Sequence, residues 1–571
     1  MGAVLRLGPM LRHVSETTAA VWVETDAPCA VTVTAGDLTA RADTFTVHGH
    51  HYALCEVEGL RPGQALEYGV LLDDAPVWPE PDSPHPPSVL RALDHEAPQR
   101  LLFGSCRTPT DHSPTAVMRY GVDMLRAHAL RLAADRRDAD TGAAPAEPTA
   151  LLLIGDQVYA DEIQSPMRAY LAERRARTPD GGVRPPDDEV VFFDEYAELY
   201  RQAWSDPDIR WLLSTVPTLM LFDDHDIRDD WNTSGTWRRE IERNRWWRPR
   251  VTSGLGSYWV YQHLGNLSPG ARAGDPVWRA LTAGGGDGGA VLDDFAWRAH
   301  SEPDSYVWSH RHDFGRSRVL MVDTRCGRDV ADDRARSMLG GPGSRWLDAS
   351  MTGDVDHLVL ASTLPFLLPS GIHYLEAWNE AVCAGAWGER MRGLGEKLRQ
   401  EMDLEHWPAF GRSFSAVSET VREVAAGGRG APPASVLFLG GDVHFSYLAR
   451  AAPRGRGAAA SGTVIAQLVC SPVCNWLPPT MRRMMWVAAR AVTGLLCRTM
   501  ARLAGVRAPA LRWSLDKGPW YDNALATLTL DGRAASVRWE HSPVVPAALR
   551  TVPGLSTRPR VRELATRRLT P

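Results

Sequence analysis

Five short polar clusters carry the side chains from which a reactive centre is built. They are Gly104-Ser105-Cys106-Arg107, Gly155-Asp156-Gln157-Val158-Tyr159-Ala160-Asp161, Asp223-Asp224-His225-Asp226, Asp323-Thr324-Arg325 and Gly440-Gly441-Asp442-Val443-His444. Each follows an apolar run of strand type, so all five occupy the carboxyl end of a strand, where ligands gather in α/β sheets. One Gly-Asp after a strand is an ordinary turn signal. Five in the same topological position are not, because carboxylates brought together repel one another unless they are protonated or neutralised by cations. Metal ions supply that neutralisation. The donors, oxygen-rich with one imidazole, one thiolate and one phenol, suit a hard trivalent ion beside a hard divalent ion better than a tetrahedral zinc site.

The elements that must position these clusters are the runs at 101–103, 151–154, 218–222, 319–322 and 436–439, with a further run at 357–360. None alternates apolar with polar. Strands covered on both faces read this way, so residues 100–545 are expected to form an α/β layered domain. Residues 1–95 read differently, as short alternating strands at 19–23, 30–33 and 65–70 separated by turns such as Asp26-Ala27-Pro28 and Arg61-Pro62-Gly63. That pattern predicts a small fibronectin-III/Ig-like all-β domain, with Trp22 as a core aromatic and the stretch 60–68 as a tyrosine corner closed by Tyr68. A proline-rich connector follows at 76–87. Loop insertions are expected at 133–148, 284–289 and 454–462, and a basic C-terminal tail at 546–571.

The strand-end motifs together resemble the alkaline phosphatase D (PhoD-like) family of the calcineurin-like metallophosphoesterase fold, which implies that the α/β domain is a layered β-sandwich flanked by helices. Two departures from the general calcineurin-like pattern single out that branch: Cys106 stands where Asp-x-His begins, and Tyr159 replaces the second Asp of Gly-Asp-x-x-Asp. The resemblance implies two or more metal ions, Fe3+ with Ca2+, and Zn2+ or Mn2+ as alternatives. It puts Cys106 and Tyr159 on the iron and Asp156 between the ions, with Asp224, Asp442 and His444 among the remaining ligands. It also implies an orienting or leaving-group role for His225. Thiolate and phenolate are strong anionic donors that a bound metal deprotonates outright. By residue type alone, Cys106 also suits a buried apolar site and Tyr159 a packed core. Arg325 and Arg107 are candidates to contact phosphate oxygens, with a salt bridge to Asp323 or a neighbour as the other reading of Arg325. Asp161, Asp223 and Asp226 are expected to orient ligands.

The expected activity is hydrolysis of phosphomonoesters or phosphodiesters by a metal-bound hydroxide. The alternative is a binding module that holds a phosphorylated polymer or lipid in the same cleft. With Lys+Arg 63 against Asp+Glu 69, the net charge of -6 gives no electrostatic case for a nucleic-acid partner. Eight scattered cysteines make no disulfide framework, although Cys29 and Cys55 are placed to bridge within the first domain in an exported protein. The first ten residues contain no apolar run of leader length, so the expected address is cytoplasmic. Trp237, Trp246 and Trp247 among arginines read either as a substrate-holding mouth or as packed tryptophans under snorkelling Arg. The stretch 481–506 reads as one apolar helix with Arg483, Arg490, Arg498 and Arg502 along a stripe. It either packs over the catalytic domain or makes a weak membrane-surface contact.

Overall fold

The computed structural model describes residues 2–138, 147–177, 183–331, 336–454, 462–544 and 559–570. Residues 139–146 of the insertion expected at 133–148, 455–461 of that expected at 454–462 and 546–558 of the expected tail lie outside these residues, while 133–138 end the helix Met124–Asp138 instead of starting a loop.

All six non-alternating runs form strands. Gln99–Gly104, Ala150–Ile154 and Thr218–Leu221 pair in parallel within a six-stranded sheet, which Ala524–Asp531, Ala534–His541 and Arg562–Arg568 extend antiparallel. Ser317–Val322, His357–Ser362, Ser435–Gly440 and Val464–Val469 form the parallel centre of a seven-stranded sheet. Successive residues of a strand point to opposite faces. Leu101, Phe103, Leu152 and Ile154 therefore share one core with Val319, Met321, Val359 and Leu437 of the facing sheet. Their neighbours Leu102, Leu151 and Leu153 pack outward under helices such as Met124–Asp138 and Phe193–Trp204. On the far side Leu320, Leu358, Val436 and Phe438 lie under Gly340–Ser350 and Gly411–Ala425. Both faces of both sheets are thus apolar, which is why the runs do not alternate.

The N-terminal domain is all-β, one sheet built on Leu5–Val14, Thr18–Thr25 and His50–Glu58 and the other on Ala30–Ala35 and Ala65–Leu72. Two expectations within it are corrected. Trp22 is buried, but on the outward face of its sheet: it packs against Tyr261 of the following domain at 5.4 Å, while Val21 and Val23 fill the core between the sheets. Tyr68 closes no corner on its own backbone; its hydroxyl donates to the Ser214 carbonyl at 2.6 Å, on the helix Pro207–Thr215. Both residues fasten the two parts of the chain together.

Two further segments differ from expectation. Arg562–Arg568, read as part of a tail, is the edge strand of the six-stranded sheet. The stretch 481–506 is two helices, Pro479–Ala488 and Ala491–Leu503, because Arg490 between them takes an extended backbone conformation.

Candidate metal centre

The strand ends Gly104, Ile154, Leu221, Val322 and Gly440 deliver their clusters to one buried locus. The turns that do so are unusual. Cys106, Asp156, Asp442 and His444 all have left-handed φ, between 47° and 63°. Such conformations cost on the order of 1–3 kcal/mol each for non-glycine residues and persist where the surroundings over-determine them. Glycine precedes two of them for steric reasons. Gly155 has φ 111°, and a Cβ there would meet Asp223 and Thr363 at 3.2 Å. A Cβ on Gly441 would lie 2.2 Å from Ser105 Oγ.

Two donor groups result, and they share one residue. Donor atoms of Cys106, Asp156 and His444 lie within 4.8 Å of one another, and so do those of Asp156, Asp223, Asp224 and Asp442. Tyr159 is buried beside them, its ring 4.7 Å from that of His225. Two carboxylate oxygens among them, Asp156 Oδ1 and Asp223 Oδ2, are buried without a hydrogen-bond partner. A buried acceptor left unsatisfied costs about 1–3 kcal/mol. Two at one locus fit cations as the missing partners, and the sulfur, phenol, imidazole and carboxylate donors are types that hold such ions.

The electrostatics agree. Burial, reinforced by Asp156 and Asp442, pushes the Cys106 thiol well above its usual range. Burial and then Asp156 and Cys106 do the same to Tyr159. Asp156 is pushed up by burial first, then by Asp223, Asp226 and Asp442, with His225 opposing. Burial lowers His444 to about 4, which leaves a neutral imidazole suited to ligation.

Arg325 is the cation already in place. Its guanidinium is fully buried, with Nε on Asp223, Nη1 on Glu405 at 2.6 Å and Nη2 3.1 Å from Asp224. It holds carboxylates in position, so the salt-bridge reading holds in place of the phosphate contact, with Asp223, Asp224 and Glu405 rather than Asp323 as the partners. Asp323 instead accepts from the backbone N–H groups of Arg325, Cys326 and Gly327. Arg107 is corrected as well: Nε and Nη2 reach Asp123 at 3.0 and 2.9 Å, and Nη1 donates to the Ala203 carbonyl, all buried. Asp161 lies 3.0 Å from His225 Nδ1, and Asp226 caps the turn by accepting from the Asp223 N–H. The tryptophan–arginine segment packs away from the centre: Trp247 is buried against Trp237 and Trp246, and Arg228 and Arg250 lie over Trp246.

His406 was not visible in the sequence pattern. Its Nε2 lies 3.0 Å from Asp442 Oδ2 and its Nδ1 2.8 Å from Glu376. Glu405 beside it binds Arg325 and Arg328. Both precede the short helical turn Trp407–Phe410 rather than ending a strand, so no strand-end signal marks them. The only local cue is the Glu405-His406 pair itself. Ser471, whose Oγ lies 3.4 Å from Cys106 Sγ, was likewise unmarked.

A cavity of about 600 Å³ opens on Tyr159, with Thr108, Arg119, Tyr120, Glu162 and Gln164 in its walls. Another, of about 870 Å³ beside His48 and Arg248, contains none of the clustered donors.

A sequence model of the PhoD-like phosphatase family matches residues 138–492. The chain belongs to that family. It is therefore a PhoD-like hydrolase, and the segment ahead of the match, residues 2–90, fits a model described as a domain of unknown function, DUF7800. No curated protein matches the chain. Among solved structures, one described as the structure of PhoD superposes with a TM-score of 0.57 at 12% identity, covering 100% of this chain and 90% of that one. The PhoD-like fold is thus shared in full, N-terminal β domain included. The purple acid phosphatase PPD1 from yellow lupin (Lupinus luteus) seeds gives a TM-score of 0.43 at 10% identity, over 93% of this chain and 71% of that one.

Proposed function

We propose that this PhoD-like chain hydrolyses phosphomonoesters or phosphodiesters at a binuclear centre held by Cys106, Asp156, Tyr159, Asp224, Asp442 and His444, with Asp223 beside them. Asp156 carries the reading, since its carboxylate belongs to both donor groups and keeps one oxygen unsatisfied. Thiol and imidazole accompany it in one group and three carboxylates in the other, a division that suits Fe3+ next to Ca2+. When bound, such ions activate water and neutralise charge on phosphoryl oxygens.

The protein's own groups then have distinct tasks. His225, oriented through Nδ1 by Asp161, keeps Nε2 to hold a proton or deliver it to the leaving oxygen. His406, fixed by Glu376, orients Asp442. Arg325 holds Asp223 and Asp224 in register and opposes the upward push that burial gives their carboxyls. The cavity opening on Tyr159 receives the alcohol portion of the ester. Turnover of a chromogenic phosphomonoester and phosphodiester, after loading with iron and calcium, with zinc or with manganese, tests the proposal. Turnover of neither ester under any of these conditions overturns it.

A further inference from the structure

The two helices Pro479–Ala488 and Ala491–Leu503 take no part in the chemistry above, and they carry an unusual surface. Of the fourteen large apolar side chains exposed among the described residues, eight lie between Met481 and Leu503. On the second helix the arrangement is inside out. Its inner stripe is small: Gly494 and Ala501 are buried, and a Cβ on Gly494 would sit 2.1 Å from Ser370 Oγ, so the helix lies tightly on Ser370–Cys383. Its outer stripe is large. Val492, Leu495, Leu496 and Leu503 are 72%, 66%, 61% and 74% exposed, at spacings of 3, 4 and 11 residues from Val492 that place them on one helical face. Met484 and Trp486 continue the exposed apolar surface on the first helix.

Charge on the same face is one-sided. Between Ser471 and Leu515 there are seven arginines and no aspartate or glutamate, in a chain whose net charge is -6. Arg483, Arg490 and Arg502 are exposed, and none of them makes an ion pair among the described residues. Acids on the helix beneath, Ser370–Cys383, are engaged elsewhere: Glu376 with His406, and Glu380 with Arg336 and Arg399. Arg490 instead lies 3.5 Å over the Trp486 ring.

We propose that this two-helix face is a docking surface for a membrane bearing anionic lipid headgroups. Leucine and valine anchors flanked by arginine are what an interfacial helix needs, the first entering the acyl boundary and the second meeting lipid phosphates. Charge decides against a second copy of the chain, since self-docking opposes arginines to arginines with no acid on the face to pair them. Length and polarity exclude spanning: no helix among the described residues is long and apolar enough to cross a membrane. The face also adjoins the cavity on Tyr159. Arg482 lies 5.2 Å over Trp476, and Trp476 Nε1 donates at 2.9 Å to the carbonyl of Arg119 in the cavity wall.

Flotation of the full chain with vesicles tests this, comparing phosphatidylcholine alone with three parts phosphatidylcholine to one part phosphatidylglycerol. The expected result is binding to the anionic vesicles that weakens with salt and is near absent on the zwitterionic ones. Leu495→Ser with Leu496→Ser should lower partitioning by about tenfold or more. Arg483→Gln with Arg490→Gln and Arg502→Gln should lower it by about 100-fold. Unchanged circular dichroism and Tm show that these exposed substitutions leave the fold intact. No binding at low salt overturns the proposal, and so does binding indifferent to the leucine pair, which is adsorption by charge alone. Concentration-dependent dimerisation without vesicles that the leucine substitutions abolish overturns it in favour of a second copy.

Discussion

The metal centre and the paired helices after it are both incomplete, in opposite senses. At the strand ends, carboxylates, a thiol and a phenol are buried without enough positive charge to satisfy them. Across Pro479–Leu503, leucines and arginines are exposed without an apolar, anionic cover. Burial makes the first deficit expensive, because an unmet charge in a low-dielectric interior is not screened. Exposure makes the second cheap, since solvated arginines and surface leucines are tolerated singly. What each region lacks points to its partner: small cations in one case, a lipid surface in the other.

The contrast is broken most forcefully at Asp156. Asp156→Asn should abolish turnover and empty the centre, read by metal analysis. The metal-free variant should nevertheless be more stable than the metal-free parent, by on the order of 1 kcal/mol, because one of several mutually repelling carboxylates is gone. A metal-free variant that melts below the metal-free parent would show that Asp156 is a structural turn residue. His225→Ala comes next. Turnover should fall by about 10²–10⁴-fold with metal content unchanged, as expected for a lost proton donor. Departure of the metals as well would make His225 a ligand.

Tyr159→Phe sharpens the identity of one ion. A phenolate on ferric iron absorbs visible light, so the iron-loaded parent should be coloured and the variant bleached or shifted; an unchanged spectrum removes Tyr159 from the iron. Arg325→Met tests the cation built into the protein. It strands Asp223 without its cation and leaves Glu405 to Arg328 alone, and should destabilise by about 3–5 kcal/mol in a denaturant titration. The smallest effect belongs to the other region. Leu495→Ser should change stability by less than about 0.5 kcal/mol, whereas Leu437→Ala between the sheets should cost about 2–5 kcal/mol. A large loss from Leu495→Ser would mean that the outer stripe is covered after all.

Much of the centre was legible because strand ends are local features. An apolar run followed by Gly-Asp, Asp-Asp-His or Gly-Asp-x-His is contiguous in the chain, and the runs at 101–103, 151–154 and 436–439 supplied the spatial rule that brings them together. His406 and Glu405 follow no such rule, because they arrive from a helical connection. The phosphate readings of Arg107 and Arg325 went astray for the opposite reason. Arginine at a strand end has the right chemistry for phosphate, but only the tertiary structure shows that Asp123 and the Asp223–Glu405 pair already occupy those guanidinium groups.

What the amino-acid sequence determined by itself is therefore the set of non-alternating strands, the donors at their ends and the family they belong to, all carried by contiguous patterns. Which way a side chain faces was decided by packing. Trp22 turned from its own sandwich toward Tyr261, and Tyr68 reached Ser214 in another domain. The leucines of Ala491–Leu503 point outward because Gly494 and Ala501 suit close helix contact on the inner side. Periodicity places residues on a common face of a helix or strand, but whether that face meets core, neighbour or solvent depends on elements distant in the chain.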